Sequence, residues 1–307
     1  MDASIDESHA AKTRKSGFPV RGSLHVAFTR RVVFWYKLIS TCRGLDGNSI
    51  LNLFSSALVD ILNLFVRKTI TNPTFRRSGM YRIEPFGFTV FARGGTEDLY
   101  YASPKRERIV TDFIRKTLRK GDVFVDIGAN IGYFTMIASP IVGDKGKVIA
   151  VEPIPETTKV LKLNLALNKL QNVKVIQKAA WFKRTKLHME IPKGFYGLAS
   201  GVVDYRESKS VHQVDAIPLD PLLESYSELR LIKIDVEGAE LQVLHGLKHA
   251  LLKTFYIVLE ASTHKDRIVD SLISSNFACR SVGATDYLVC FNKSLRQTDS
   301  IYSSRSF

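Results

Sequence analysis

Residues 122–135 read DVFVDIGANIGYFT. The apolar run Val123–Val125 predicts a buried strand that ends at Asp126. The turn after it carries a Gly-x-Asn-x-Gly pattern, formed by Gly128, Asn130 and Gly132. Glycine permits a positive φ and lets the backbone approach a ligand closely, so this pattern is typical of a ligand-binding turn between a strand and a helix.

Strands and helices alternate through the chain beyond this unit. We expect strands at 147–152, 173–177, 231–235 and 255–260, helices at 134–141, 155–169, 239–252 and 266–274, and a closing antiparallel pair at 278–282 and 287–291. Short apolar strands that alternate with helices are typical of a doubly wound sheet. The predicted fold class is α/β, with a Rossmann-like, mostly parallel sheet, a C-terminal antiparallel hairpin and an N-terminal helical extension.

Acidic residues stand at the carboxyl ends of four predicted strands. They are Asp126, Glu152, Asp235 and Glu260. Ligands of doubly wound sheets bind outside the carboxyl ends of the strands, where the strand order reverses. These four side chains therefore mark the expected site.

The charge at this edge distinguishes between two kinds of cofactor. Asp126 would repel the pyrophosphate of a nicotinamide dinucleotide, whereas it would attract the ammonium and sulfonium groups of S-adenosylmethionine. Glu152 follows Gly128 by 24 residues, a position from which an acid can accept hydrogen bonds from ribose hydroxyls. The pattern favours S-adenosylmethionine.

Three motifs resemble the FkbM family of S-adenosylmethionine-dependent methyltransferases. They are DVFVDIGANIGYFT, GKVIAVEPIPE and LIKIDVEGAELQVLHGL, within about residues 95–262. The resemblance implies a hydroxyl-directed methyltransferase core. It also implies a methionine-side loop of Asp126, Gly128, Asn130 and Gly132, a ribose ligand at Glu152 followed by Pro153, and an active-site acid at Asp235 beside the transferable methyl group. Residues 1–80 lie outside the resemblance.

A hydroxyl acceptor needs a base to remove its proton during methyl transfer. Asp235 is the first candidate to contact the acceptor or its proton, and Glu237, Glu260 and His264 are further catalytic candidates. Oxygen ligands at neighbouring strand ends suit Mg²⁺, so Asp235 and Glu260 leave a metal requirement open. Lys233 alternates within its strand, which indicates a structural role.

The net charge of +14 is concentrated at the front of the chain. Residues 1–120 hold 21 Lys and Arg against 10 Asp and Glu, whereas residues 121–307 hold 23 against 20. We divide the chain into a basic, partly flexible leader (1–45), a helix and β-hairpin extension (46–95), and the methyltransferase domain (96–307). The basic front could bind nucleic acid or an anionic membrane surface, or be a solvated arm.

A helix from Ser49, as its N-cap, to about Lys68 is predicted in the extension, followed by a hairpin at 81–90. The wide apolar face of this helix either packs on the main domain or lies in a membrane interface. Polar residues interrupt its apolar run, which argues against a bilayer span.

The location predicted is cytoplasmic, with peripheral membrane attachment left open. Residues 1–23 contain no apolar signal segment. The cysteines are few, widely spaced and odd in number, which suggests a reduced setting rather than a disulfide scaffold. They are Cys42, Cys279 and Cys290.

Three functions remain open at this point. The acceptor of a methyltransferase could be a sugar, glycan or other small molecule. It could instead be RNA held by the basic front, although the basic residues lack regular aromatic interleaving. The third possibility is a non-catalytic module that binds S-adenosylmethionine or a partner.

Overall fold

The computed structural model describes residues 24–66, 73–101, 107–190, 200–201, 211–283 and 285–295. Its helices are α1 (Leu24–Ile39), α2 (Gly47–Val66), α3 (Asp98–Tyr101), α4 (Arg108–Thr117), α5 (Tyr133–Val142), α6 (Pro155–Leu167), α7 (Asp220–Leu223), α8 (Glu240–His245), α9 (Lys248–Leu252) and α10 (Lys265–Ser274). Its strands are β1 (Cys42–Gly44), β2 (Gly79–Ile83), β3 (Phe88–Ala92), β4 (Val123–Ile127), β5 (Lys147–Val151), β6 (Val173–Ile176), β7 (Ala179–Ala180), β8 (Thr185–Glu190), β9 (Ser200–Gly201), β10 (Val211–Ile217), β11 (Leu229–Ile234), β12 (Thr254–Glu260), β13 (Phe277–Ser281) and β14 (Tyr287–Asn292).

The central sheet has seven strands in the order β13-β14-β12-β11-β4-β5-β6. Strands β12, β11, β4, β5 and β6 pair in parallel, and β14 pairs antiparallel with both β12 and β13. From β4 the chain adds β5 and β6 on one side and later β11 and β12 on the other, so the strand order reverses at β4. The predicted α/β class, mostly parallel sheet and C-terminal antiparallel hairpin are confirmed.

The strands of the sheet bury side chains on both faces. In β4, Phe124 packs into one apolar core with α4, α5 and α6, whereas Val125 and Ile127 pack into a second core with α7 to α10. Successive side chains of a strand point to opposite faces of the sheet, and both faces are buried here. This is why β4 appears in the sequence as a continuous apolar run. A smaller sheet of order β7-β10-β8-β9 accounts for the β-rich segment after β6.

Helices α1 and α2 pack on a three-stranded sheet of order β1-β2-β3. Arg31 pairs with Asp60 at 2.8 Å, and Trp35 Nε1 donates to the same carboxylate at 2.7 Å. The predicted hairpin is present as β2 and β3. Helix α1 and strand β1 lie within residues 1–45, which the sequence assigned to a partly flexible leader, so from Leu24 that segment has regular secondary structure. The three-part division of the chain otherwise stays a prediction.

The predicted N-cap of α2 was wrong. Asp46 Oδ1 accepts the backbone N–H of Ser49 at 2.7 Å, which makes Asp46 the cap. The Ser49 hydroxyl instead accepts the N–H of Met80 at 3.0 Å and ties the helix to β2. Lys68, the predicted end of the helix, lies outside the described residues.

Two asparagines attach the extension to the α/β core. Asn164 Oδ1 of α6 accepts the N–H of Phe91, and Asn168 Oδ1 accepts the N–H of Thr89, each at 2.7 Å. Strand β3 is the edge of its sheet, so these side chains satisfy backbone groups that another strand would otherwise pair.

The helix predicted at 239–252 is two helices, α8 and α9. A Cβ at Gly246 would lie 2.0 Å from the carbonyl oxygen of Trp181, so the chain passes against another backbone at the break.

Cys279 and Cys290 face each other across β13 and β14 and form a disulfide. The expectation that the cysteines do not form a disulfide was wrong for this pair, because the antiparallel register brings together two residues that are 11 apart in sequence. Cys42 is free and buried.

Within the described ranges, the helices are each too short or too polar to cross a bilayer.

Candidate active site

The turn after β4 passes directly against the chain that leaves β11. Gly128 has a φ of +76°, and a Cβ there would lie 1.8 Å from the carbonyl oxygen of Asp235. Asn130 also adopts the left-handed region, with φ at 49°. The predicted turn is therefore present, and the absence of a side chain at Gly128 is what brings Asp235 beside it.

The N–H groups of this turn are directed at the end of β5. Gly128 and Ala129 both donate to the carbonyl of Val151 at 3.0 Å, and Asn130 donates to Glu152 Oε2 at 3.0 Å. A pyrophosphate site requires free N–H groups in such a turn. Because these N–H groups already have partners, the turn does not provide a dinucleotide cradle.

Glu152 lies buried where β5 ends. Its Oε1 accepts the N–H of Ile154 at 2.9 Å and its Oε2 accepts that of Asn130, with Pro153 between Glu152 and Ile154. Burial raises the pKa of Glu152 to about 7. Each carboxylate oxygen retains acceptor capacity, which suits a hydroxyl donor such as a ribose.

Lys233 is buried between two carboxylates. Its Nζ lies 3.6 Å from Asp126 Oδ1 and 3.2 Å from Asp235 Oδ2, and it donates to the carbonyl of Gly128 at 3.1 Å. Burial alone would lower the pKa of Lys233, but Asp235 and Asp126 raise it above the ordinary value. Lys233 is therefore an ammonium ion that holds together the ends of β4 and β11.

Sequence reasoning assigned Lys233 only a structural role. The signal that could have revealed it is a lysine in an apolar strand, two residues before Asp235. Parallel pairing places it directly beside Asp126. Asp126 is completely buried, and its Oδ2 accepts the hydroxyl of Thr135 at 2.6 Å. Lys233 compensates the negative charge of Asp126. Repulsion of a pyrophosphate by Asp126 therefore distinguishes S-adenosylmethionine from a nicotinamide dinucleotide less strongly than the sequence suggested.

Three predicted acids meet in one cluster. One carboxylate oxygen from each of Asp235, Glu237 and Glu260 lies within 4.8 Å of the other two. Burial, followed by the like charges of Asp235 and Glu107, raises the pKa of Glu260 to about 7. A carboxyl group that titrates near neutrality can exchange a proton with a reacting hydroxyl.

Two neighbours of this cluster were missed in the sequence. Tyr287 is hydrogen-bonded to Glu107, and burial raises its pKa above the ordinary value, with Asp235, Glu107 and Glu260 adding to the rise. Glu107 precedes α4, and Tyr287 begins β14. They come from segments far apart in the chain, so no local pattern could have joined them to Asp235.

Two other acid–base candidates have different surroundings. His264 is exposed, with a φ of 52°, at the residue before α10 and outside the three-acid cluster. Glu240 Oε1 accepts the N–H of Gly238 at 3.0 Å, so this buried side chain stabilises the turn that carries Glu237.

Tyr101 connects the N-terminal part of the chain to the turn. Asn130 Nδ2 donates to the Tyr101 hydroxyl at 2.7 Å. Tyr133, the first residue of α5, meets Phe86 and Phe88 edge-on, with ring centroids 6.0 Å apart in each pair. The N-terminal part of the chain therefore supports the turn through residues that the motif does not contain.

The residues at this edge fit S-adenosylmethionine. Glu152 offers buried acceptors to ribose hydroxyls, and the close packing of Gly128 against Asp235 sets the ends of β4 and β11 side by side next to it. Asn130 Oδ1 is buried and accepts no hydrogen bond from the residues that the structure describes, so it is available to a ligand N–H or O–H.

Comparison with known protein families also indicates a methyltransferase. The methyltransferase FkbM domain matches residues 126–281, about half of the chain, and the Vibrio cholerae RfbT protein family matches residues 60–180.

Two curated relatives and one solved structure are similar to this chain. A probable cobalt-precorrin-6B C(15)-methyltransferase (decarboxylating) of Sulfolobus acidocaldarius is 27% identical over 151 residues, which are 47% of this chain and 79% of the relative. A protein-L-isoaspartate O-methyltransferase of Archaeoglobus fulgidus is 41% identical over 59 residues, 19% of this chain and 27% of the relative. The crystal structure of methyltransferase FkbM from Methylobacillus flagellatus aligns with a TM-score of 0.42 at 16% identity, covering 87% of this chain and 60% of that one.

The family match spans the turn after β4, the end of β5 and the three-acid cluster. The chain therefore belongs to the FkbM methyltransferase family and is an S-adenosylmethionine-dependent methyltransferase.

Proposed function

We propose that this methyltransferase acts on a hydroxyl group of a sugar, glycan or other small molecule, with Glu260 as the general base. The observation that carries the proposal is the pKa of Glu260, raised to about 7 within the cluster of Asp235, Glu237 and Glu260. A base is most effective when its pKa lies near the working pH, and a positioned base contributes about 10²–10⁴-fold to such reactions.

The cofactor residues of the proposal surround the turn after β4. Glu152 accepts hydrogen bonds from the ribose, Asn130 offers its amide oxygen, and Asp126 balances the charge of Lys233 close to the methionine side. The full proposed set is Asp126, Gly128, Asn130, Gly132, Glu152, Pro153 and Asp235. Its support is the close packing of Gly128 against Asp235, which brings the cofactor turn next to the acids.

When bound, S-adenosylmethionine supplies an electrophilic methyl group. Asp235 orients the acceptor hydroxyl, and Lys233 fixes the Asp235 carboxylate from 3.2 Å. Glu260 takes the hydroxyl proton onto a carboxylate oxygen, so the acceptor oxygen gains nucleophilicity as it is methylated. Glu237 remains a secondary acid–base candidate, and His264 is exposed outside the cluster.

The acid cluster also bears on the acceptor class. Like charges that approach closely repel one another, so several carboxylates around the reacting oxygen disfavour an acceptor with phosphates on both sides of its hydroxyl. The acid cluster therefore favours a neutral polyhydroxylated acceptor over RNA. Methylation of RNA is one of the outcomes that the test below distinguishes.

A metal ion is not part of the proposal. Acidic side chains without a further observation do not define a cation site, and the Lys233 ammonium already supplies positive charge beside Asp235. Methyl transfer measured with and without a chelator tests this point separately.

The direct test is transfer of radiolabelled methyl groups from S-adenosylmethionine to fractionated cell extract, with small molecules, glycans and RNA counted separately. We expect label in a small-molecule or glycan fraction, in a product stable to mild base, because methyl ethers resist the base that releases methyl esters. Glu260→Gln should lower transfer by about 10²-fold or more, with the calorimetric affinity for S-adenosylmethionine unchanged.

Glu228→Gln is the matched control. Glu228 is exposed and precedes the amino end of β11, at the opposite edge of the sheet. It should transfer label at the wild-type rate. Label in the RNA fraction would overturn the acceptor class, and full activity of Glu260→Gln would show that another group removes the proton.

A further inference from the structure

One face of α2 exposes large apolar side chains in a continuous stripe. The stripe consists of Leu51, Phe54, Leu58 and Leu62. Their spacing of three and four residues places them on one side of the helix, about 16 Å long at 1.5 Å per residue. Soluble proteins rarely expose large contiguous apolar patches unless the patch binds something.

The other face of α2 is already occupied. Asn52 and Ser56 are buried against the segment before β2, and the Asn52 amide donates to the carbonyl of Arg77 at 2.6 Å. Asp60 is the acidic residue of the helix, and it is paired with Arg31. The inner side of α2 therefore packs on the protein through both polar and apolar residues, Leu53, Ala57 and Leu64 among them, and the side left to solvent is apolar.

Helix α1 and the groove beside α2 extend this surface. Val33 and Tyr36 are exposed on α1, on a face that also carries Arg30 and Lys37 at helical spacing. A groove of about 360 Å³ lies next to the stripe, and Ile50, Phe54 and Arg43 contribute to its walls. Tyrosine and long basic side chains are typical of surfaces that meet both hydrocarbon and polar headgroups.

The charge of this surface is mainly positive. Within residues 28–64 the exposed charged side chains are Arg30, Lys37, Arg43 and Asp46. Glu84 also lines the groove, and its carboxylate lies 3.7 Å from the side chain of Arg82. Asp46 caps α2 through its hydrogen bond to Ser49. Arg43 therefore lies in the groove beside the stripe, and Arg30 and Lys37 are exposed on α1, the helix that packs against α2. This front of the chain holds 21 basic against 10 acidic residues.

We propose that the stripe of α2, with its basic border on α1 and β1, docks this methyltransferase on the surface of an anionic lipid bilayer. An amphipathic helix that lies in the interface buries its apolar side chains while basic neighbours bind anionic headgroups. A second copy of the chain is a poorer occupant, because twofold pairing of this surface would bring its cations against those of the partner.

The test is co-sedimentation of the full-length protein with phosphatidylcholine vesicles that contain or lack about one third phosphatidylglycerol, at low and high salt. We expect binding to the anionic vesicles that weakens with salt. The triple variant L51S/L58S/L62S should lower the partition coefficient about tenfold or more, because three leucine side chains no longer enter the bilayer.

The control is L163S/L252S/I273S, which removes exposed apolar side chains from α6, α9 and α10. Leu252 is 67% exposed, Ile273 51% and Leu163 41%, against 70% for Leu51, 51% for Leu62 and 60% for Leu58, so the two triples remove comparable exposed apolar surface, slightly less in the control. The control should bind as the wild type does. Absence of wild-type binding, or equal binding by both triples, would overturn the proposal. So would a concentration-dependent dimer in sedimentation velocity that L51S/L58S/L62S abolishes, because the occupant would then be a second copy.

Discussion

At the scale of single residues, Lys233 decides how the acids of the site behave. Three groups surround its ammonium: Asp126, Asp235 and the carbonyl of Gly128. A buried carboxylate without a compensating partner is costly. Removing the lysine would leave Asp126 with the Thr135 hydroxyl as its remaining side-chain partner in the part of the chain that the structure describes. The lysine thus couples the stability of the sheet to the geometry of the site.

Lys233→Met should therefore lower the free energy of unfolding by about 3 kcal/mol or more, the usual cost of breaking a buried ion pair. Urea denaturation without cofactor measures this change. Lys174→Met, at an exposed position in the edge strand β6, should change stability by less than about 0.5 kcal/mol. Equal effects of the two substitutions would contradict the role assigned to Lys233.

Glu152 makes a second prediction at this scale, concerning pH. Burial raises its pKa from 4.5 to about 7, so the folded protein keeps a proton that the unfolded chain has lost. The free energy of unfolding of the cofactor-free protein should consequently fall as pH rises from about 4.5 to about 7. Glu260 contributes in the same direction, because its pKa is also raised to about 7.

Urea denaturation at about pH 5 and about pH 8 tests the contribution of Glu152. Glu152→Gln should show a smaller loss of stability between the two pH values than the wild type. Glu156→Gln, an exposed substitution in the first turn of α6, should leave the wild-type difference unchanged. A wild-type difference in Glu152→Gln would mean that this carboxyl group does not retain its proton.

At the scale of elements, the turn between β4 and α5 is held at several points along its length. Its N–H groups bind Val151 and Glu152, and the Asn130 amide binds Tyr101. The backbone of Gly128 touches that of Asp235. A substitution at Gly128 therefore acts on two strand ends at once.

Gly128→Ala should abolish measurable binding of S-adenosylmethionine and destabilise the fold. Its new Cβ would lie 1.8 Å from a backbone oxygen, which no side-chain rotation relieves. Gly143→Ala separates this clash from the strain of positive φ, because Gly143 has a φ of +64° and a methyl group added there would meet no atom within 4 Å. It should cost about 1–3 kcal/mol, from backbone strain alone, and retain binding. Calorimetry with S-adenosylmethionine, and with NAD as a negative control, gives the readout; intact binding by Gly128→Ala would contradict the assigned site.

At the scale of the whole molecule, the N-terminal extension and the α/β core share one apolar core. Trp35, Tyr81 and Phe88 lie in the same cluster as Phe134 and Leu161. The extension reaches the start of α5 through Phe86 and Phe88, which meet Tyr133 edge-on, and it carries the exposed apolar side chains of α2 on an outer face. If the stripe docks on a membrane, the membrane-bound helix and the turn between β4 and α5 belong to parts of the protein that share one apolar core.

The sequence alone determined the parts of this protein that follow from local pattern. Hydrophobic periodicity and the positions of glycines indicate the strand–turn–helix unit, the alternation of strands and helices, and the hairpin after α10. The bounds of these elements were therefore predicted within a few residues. The sequence also placed Asp235 and Glu260 at one edge, because parallel strands bring their carboxyl ends together, and the structure brings Glu237 beside them.

Only the tertiary structure decided which side chains meet across that edge. Lys233 beside Asp126 depends on strand register, and the contact of Tyr287 with Glu107 joins segments separated by most of the domain. The break at Gly246 and the disulfide of Cys279 and Cys290 likewise arise from contacts between distant or facing backbones. Local sequence encodes backbone preference, whereas the pairing of charges and the burial that shifts their pKa values exist only after the chain has packed.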